Sequence, residues 1–225
     1  GAAFDVQAVC SGFLFALATA DSMLRQGLFK NALVIGAETF TRILDWSDRS
    51  TCVLFGDGAG AAVLAKGEGA GGELLGFFSE ADGSNPSLLC QPAGGSAQPA
   101  TSDSLLERQH YLKMNGREIF KVAVRLMERA TRELLKKHDL TPSDIACVIP
   151  HQANARIVES LAQRLELPMD RFFCNLDRYG NTSAASIPIA LSEARDAWGF
   201  KNGDHVLMVA FGAGLTWASG LLQWV

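Results

Sequence analysis

The spacing of apolar residues changes several times along the chain, and each change marks an element. Gly1 to Val9 reads as a buried strand already in progress. From Ser11 to Gln26, apolar residues at Phe13, Leu14, Leu17, Ala18, Met23 and Leu24 keep close to a 3.6-residue period, and Gly27 suits a helix C-cap. "NALVIGA", Asn31 to Ala37, predicts a short strand buried on both faces. A polar patch, Glu38 to Thr51, separates it from a second apolar run, Cys52 to Ala65. Lys66 to Gly72 is turn or linker material, and "ELLGFFSEAD" predicts another strand.

Gly83 to Ser104 is the most irregular stretch and holds three of the seven prolines, which predicts a functional or mobile loop. The clearest helix spans Gly116 to Lys137. Ile119, Ala123, Leu126, Met127, Ala130 and Leu134 form its apolar stripe, with Glu128/Arg132 and Arg129/Glu133 paired at i,i+4 on the wet side. Thr141–Asp144 is a turn or helix-start signal. "IACVIP" and "RFFCNL" predict strands around a helix over Ala153–Leu165, and a helix over Ser183–Trp198 precedes the strand "HVLMVAFGAG". The chain closes with "LTWASGLLQWV". Strands alternating with helices predict an α/β fold with a largely parallel sheet.

Composition narrows the function classes. The 225 residues are 48% hydrophobic and 20% charged with a net charge of −4, so no nucleic-acid footprint is expected. No apolar run approaches the roughly 20 residues that span a bilayer, so no membrane partner is expected either. Five cysteines without CxxC spacing argue against a disulfide framework and a zinc site; no metal is expected, and the pattern suits a reducing cytosol. The start without a methionine or a leading element reads as a fragment.

Three polar signals stand at strand-to-helix corners: Cys10, His151 within "PHQAN", and Asn181 within "YGNTSAAS". Taken singly, each has a plain alternative. Cys10 suits an inert buried thiol, His151 a satisfied core histidine, Asn181 a helix cap. A helix N-terminus, however, stabilises a thiolate, and the edge after a strand is where α/β sheets bind ligands. Phe55-Gly56-Asp57-Gly58 and Phe211-Gly212-Ala213-Gly214 also echo each other, which would place Cys10 and Asn181 at equivalent helix starts facing one site. "GDGAGAA" lacks a P-loop lysine and suits close strand–helix packing better than a phosphate cradle.

Together "AVCSGF", "RSTCVLFGDGAGAAVL", "PHQAN", "GNTSAAS" and "AFGAGLTWA" resemble the β-ketoacyl-acyl carrier protein synthase III family, from Phe4 to the C-terminus. The resemblance implies a thiolase-like fold of two similar βαβαβ halves in a layered α/β arrangement, the first half incomplete by about one hundred residues. Residues 1–104 would be the remainder of the N-terminal half and 105–225 the C-terminal half. The absent elements would supply part of the core, the dimer interface and the cofactor site, from a longer chain or a separate piece. Without them a sheet edge would stand open and apolar helix faces would be wet.

The resemblance further implies a cytoplasmic homodimeric acyltransferase with no permanently bound cofactor, using a coenzyme A thioester as substrate. Cys10 would take an acyl group from acyl-coenzyme A. His151 and Asn181 would stabilise the enolate formed when malonyl-acyl carrier protein loses carbon dioxide. Backbone N–H groups of Cys10 and Ala213 would form the oxyanion hole, Ala213 standing where a third glycine is frequent. Arg49, Gly116, Phe120, Asn154 and Phe211 match coenzyme A and pantetheine positions. Lys121, Arg125, Arg156 and Arg164 would offer a basic rim to the acidic carrier protein, although ordinary exposed helix charges are the better reading of Arg125 and Arg164. A papain-like protease is disfavoured by the local sequence around Cys10. Thiolase would carry a second C-terminal cysteine, and "FGAGLTWA" has none; hydroxymethylglutaryl-coenzyme A synthase would use a glutamate from the absent part. A condensing enzyme priming a polyketide or other secondary-metabolite pathway, or a non-catalytic acyl-binding subunit, remain alternatives.

Overall fold

The computed structural model describes residues 1–67 and 71–225. In chain order its elements are α1 (Gly12–Arg25), β1 (Asn31–Glu38), β2 (Gly58–Ala65), β3 (Gly72–Ala81), β4 (Leu89–Cys90), α2 (Ser102–Leu106), β5 (Lys113–Met114), α3 (Gly116–Lys137), β6 (Ile145–Pro150), α4 (Ala155–Leu165), α5 (Leu176–Tyr179), α6 (Ser186–Ala197), β7 (His205–Gly212) and β8 (Thr216–Trp224). Short 3-10 turns lead into α1 at Val9–Ser11 and into α6 at Ser183–Ala185.

These elements stack in layers. α3 and α4 cover one face of a four-stranded sheet of order β3-β8-β7-β6, and α1 and α6 cover the other. The antiparallel ribbon β1–β2 lies beyond α1 and α6, so those two helices are clamped between sheets. This explains why α1 carries buried Phe13, Leu14 and Leu17 along with half-buried apolar neighbours. Close approach makes the clamp possible. A Cβ on Gly60 of β2 would lie 2.8 Å from Pro188 Cβ of α6, so the small residues of "GDGAGAA" serve packing.

The long helix α3 follows the apolar stripe read from the sequence. Ile119, Ala123, Leu126, Met127, Ala130 and Leu134 are all buried, each worth roughly 1–3 kcal/mol of apolar burial for the larger side chains. Its cap is Asn115, whose side chain accepts from Glu118 N–H. α1 ends at Arg25 with Gln26 as its cap, one residue before the expected Gly27, which takes the left-handed position just beyond; Gly27 N–H donates to Leu24 O and Leu28 N–H to Met23 O. Glu128 pairs with Arg132 at 3.1 Å, but Arg129 reaches Glu80 of β3 at 2.9 Å instead of Glu133. A partner on another element outcompetes the local one.

Several expectations are corrected. Gly1–Ala8 forms no strand, because no described strand runs beside it. Residues 52–54 are turns, Phe55 makes an isolated bridge to Asn181, and the second run becomes a strand only from Gly58. "RFFCNL" makes one isolated bridge, Val148–Phe172, since Met169–Arg171 is a 3-10 turn and α5 begins at Leu176. The sheet is not largely parallel: β6–β7 is its one parallel pair among the described residues, and the tight β7–β8 and the β3–β8 pairings are antiparallel. β1 is buried on one face only. Gly83–Ser104 contains β4 and the start of α2, with Thr101 capping Ser104 N–H. Of the linker expected at 66–72, residues 68–70 lie outside the described residues. No described helix is long and apolar enough to cross a membrane.

Candidate active site

Cys10, His151 and Asn181 line one narrow cavity of about 40 Å³, with Phe55, Phe211 and Gly212 beside them and Ile119, Ala123, Met127 and Ile157 from α3 and α4. Residues from both ends and the middle of the chain therefore converge, and the two FGxG echoes meet there. Cys10 and Asn181 both line this cavity.

Cys10 sits in the 3-10 turn Val9–Ser11, where first-turn N–H groups have no intrahelical partner. Val9 before it adopts φ +47°, a left-handed conformation uncommon for a β-branched residue and worth roughly 1–3 kcal/mol of strain. Thr216 at the start of β8 holds this turn. Its Oγ1 donates to Ala8 O at 3.0 Å, and the Ser11 hydroxyl donates to Thr216 O at 3.1 Å. Gly212 permits the fit, since a Cβ there would lie 2.9 Å from Cys10 N.

His151 follows β6 directly. Its amide donates to Val209 O at 2.7 Å, which extends the parallel ladder one residue and fixes the backbone. Gln152 anchors the loop, donating to Phe173 O and accepting from Asn175 N–H. Asn181 is fixed on both sides by β-type bonds, its N–H to Leu54 O and its carbonyl from Gly56 N–H, each 2.9 Å. Its Oδ1 accepts from Ser183 N–H at 2.9 Å. That bond settles the amide orientation and leaves the Nδ2 hydrogens as donors for a ligand.

Burial dominates the electrostatics. It pushes the Cys10 thiol up to about 12, opposed by contact with the Ser183 hydroxyl and reinforced by the charge of Glu38. Burial also pushes His151 down to about 4, opposed by the Ser183 backbone. The resting pair is thus a neutral thiol and a neutral imidazole, because desolvation of Cys10 outweighs the opposing effects of the Ser183 hydroxyl and the Cys10 backbone. A neutral imidazole still offers one N–H donor, and His151 Nδ1 is buried without a hydrogen-bond partner among the described residues.

The remaining sequence-predicted residues are spread more widely. Phe211 lines the cavity, whereas half-buried Phe120 packs on the core while Ile119 faces the cavity. Ala213 follows Gly212 in the β7–β8 turn, and its carbonyl accepts from Thr216 Oγ1. Asn154 caps α4 through Arg156 N–H, and Gly116 opens α3. Arg49 is exposed in a turn close in sequence to exposed Trp46. Lys121 is paired with Glu118 at 2.9 Å and Arg164 with Glu128 at 2.8 Å. Arg125 and Arg156 are exposed and carry no ion pair among the described residues. Glu38, Ser183 and Thr216 were not legible as site residues, because short polar side chains on strand ends and turns carry no sequence signature.

Residues 4–83 match the family model of 3-oxoacyl-(acyl-carrier-protein) synthase III, and residues 135–224 match the model of its C-terminal part. A β-ketoacyl-(acyl-carrier-protein) synthase III of Caldanaerobacter subterraneus is 52% identical over 223 residues, covering 99% of this chain and 67% of the relative. The chain belongs to the β-ketoacyl-acyl carrier protein synthase III family. Solved structures of synthase III proteins agree. That from Aquifex aeolicus is 48% identical with a TM-score of 0.86, covering 98% of this chain and 67% of the other. That from Thermus thermophilus is 47% identical with a TM-score of 0.87, covering 99% and 68%. This chain thus spans about two thirds of the length of the synthase III proteins it matches, and it shares their thiolase-like layered fold.

Proposed function

We propose that Cys10, His151 and Asn181 perform a decarboxylative condensation in this chain, joining an acyl-coenzyme A primer to malonyl-acyl carrier protein to start fatty acid synthesis. The observation that carries the reading is their convergence on one apolar cavity in a member of the synthase III family. The Cys10 sulfur attacks the thioester carbon, coenzyme A leaves, and an acyl-cysteine remains. The neutral His151 N–H and the Asn181 Nδ2 hydrogens then hold the malonyl thioester oxygen as carbon dioxide departs. A neutral donor suits this step, because it stabilises the forming enolate without first giving up its proton to it. The resulting carbanion attacks the acyl-Cys10 carbonyl, whose oxygen rests on the backbone N–H groups of Cys10 and Ala213. Loss of the Cys10 sulfur releases the β-ketoacyl product.

On this reading Phe211 is a wall of the acyl end, and Arg49, Gly116, Phe120 and Asn154 lie along the approach of the coenzyme A or pantetheine arm. Arg125 and Arg156, exposed and unpaired among the described residues, are the strongest members of a rim for the acidic carrier protein; Lys121 and Arg164 already serve carboxylates. The halves 1–104 and 105–225, a homodimer and a cytoplasmic location complete the proposal.

Denaturing intact-mass spectrometry after incubation with acetyl- and longer acyl-coenzyme A tests it directly. An acyl increment mapped to Cys10, absent in Cys10→Ala, is the expected result. His151→Ala and Asn181→Ala keep that increment but lower malonyl decarboxylation by about 10²–10³-fold. Condensation intact in His151→Ala would remove the role assigned to this residue.

A further inference from the structure

Acylation requires the Cys10 thiol to give up a proton, and the cavity offers no good base for it. The described titratable side chains that line it are Cys10 and His151 alone, and burial makes His151 a weak base. A different acceptor stands behind the cysteine. Glu38 closes β1, and its Oε1 accepts from the Ser183 hydroxyl at 3.1 Å and from Ala184 N–H at 3.4 Å. Ser183 is buried, held at φ +50°, and bonded through its amide to Asn181. The Ser183–Ala185 turn packs against the Val9–Ser11 turn, which sets the Ser183 hydroxyl beside the Cys10 sulfur, where the charge of Glu38 is also felt. Gly36 lets β1 press onto this loop, since a Cβ there would lie 2.5 Å from Ala184 O.

One hydroxyl can accept from a thiol while donating to a carboxylate. Glu38 is half-buried, so it links the enclosed sulfur to solvent, and burial raises its carboxyl and makes it a better proton acceptor than an exposed carboxylate. We propose that Ser183 and Glu38 form a proton relay that takes the Cys10 thiol proton during acylation. As the sulfur bonds the thioester carbon, its proton passes to Ser183 Oγ and the Ser183 proton passes to Glu38 Oε1. The carbon–sulfur bond to coenzyme A breaks, and coenzyme A departs as a thiolate that takes a proton from water. Glu38 returns its own proton to water, which closes the balance. Ser183 stands between the reacting sulfur and the carboxylate, and Glu38 acts through it.

The relay rests on the acyl-cysteine reading above, and the test separates the two. Glu38→Gln keeps an oxygen for Ser183 to donate to but removes the basic carboxylate. In the full-chain protein, single-turnover acylation of Cys10 by acyl-coenzyme A is followed by denaturing mass spectrometry, beside malonyl decarboxylation in the same preparation. Acylation is expected to fall by roughly 10²-fold, much further than decarboxylation, with Glu38→Asp recovering part of the rate. Ser183→Ala reads the relay from its other end and should show the same imbalance. Wild-type acylation rates in Glu38→Gln and Ser183→Ala would overturn the relay. Equal losses in both half-reactions would reduce Glu38 to a structural support and overturn it as well. A wild-type protein that forms no acyl-Cys10 with any donor would sink the acyl-cysteine reading itself, and the relay with it.

Discussion

At the residue scale the site is built by withholding water from groups that normally share protons with it. Cys10 and His151 are both almost fully buried, and each is held in its uncharged form. For His151 this has a consequence for stability. Its folded value, about 4, lies below its ordinary 6.5, so the unfolded chain binds the proton more readily. Stability attributable to His151 is therefore intact above about pH 6.5 and is lost as pH falls toward 4, by up to about 3 kcal/mol. Urea unfolding at pH 7 and pH 4.5 should show a larger loss in the wild type than in His151→Gln. Parallel losses would mean that the imidazole titrates in the folded state as it does in water. The catalytic candidates themselves are legible from the sequence because each precedes a helical pattern, although the structure sets a strand directly before His151 alone. Their supports were not: left-handed Val9 and Ser183 have no glycine to announce the turn, and Glu38 reads as an ordinary strand-end carboxylate.

At the element scale, legibility followed the strength of the period. α3 is legible to its ends because its apolar stripe recurs from Ile119 to Leu134 in a helix of 22 residues capped by Asn115. β1 is legible as a strand but its environment is not, since a strand with one dry face and a fully buried strand both appear as an apolar run. "RFFCNL" has strand composition yet follows a 3-10 turn and makes one bridge, a tertiary choice that propensity does not contain. The β1 packing also ties stability to the site. Gly36→Ala drives a Cβ into the Ala184 carbonyl, which belongs to the loop holding Asn181. The substitution should cost about 1–3 kcal/mol and also lower malonyl decarboxylation. Gly60→Ala meets the side chain of Pro188 in α6, so its cost should fall on stability with a smaller effect on decarboxylation. Denaturant melts beside decarboxylation rates compare the two. A destabilised Gly36→Ala with full decarboxylation would show that Asn181 does not depend on this contact.

At the scale of the whole molecule, the layers end abruptly. The sequence predicts an open sheet edge and wet helix faces; the β1–β2 ribbon does have unpaired outer edges among the described residues, but the exposed apolar surface is its outer face, because α1 and α6 are covered on both sides. Leu33, Ile35 and Val63 are 63%, 57% and 74% exposed, and they share the outward face of the β1–β2 ribbon, with Leu33 paired to Val63 across it. Alternate residues of the same strands, Val34 among them, are buried against the helices, so the ribbon is apolar on both faces. An apolar face on a two-stranded ribbon with unpaired outer edges invites another surface. The 225 residues expressed alone should therefore bind the dye ANS and self-associate, as read by fluorescence and size-exclusion chromatography. Leu33→Lys with Val63→Lys should weaken both, while leaving the buried side of the ribbon and the far-side sheet untouched. If the unsubstituted chain runs as a dye-silent monomer, this face is not adhesive in water, and the argument from its composition fails.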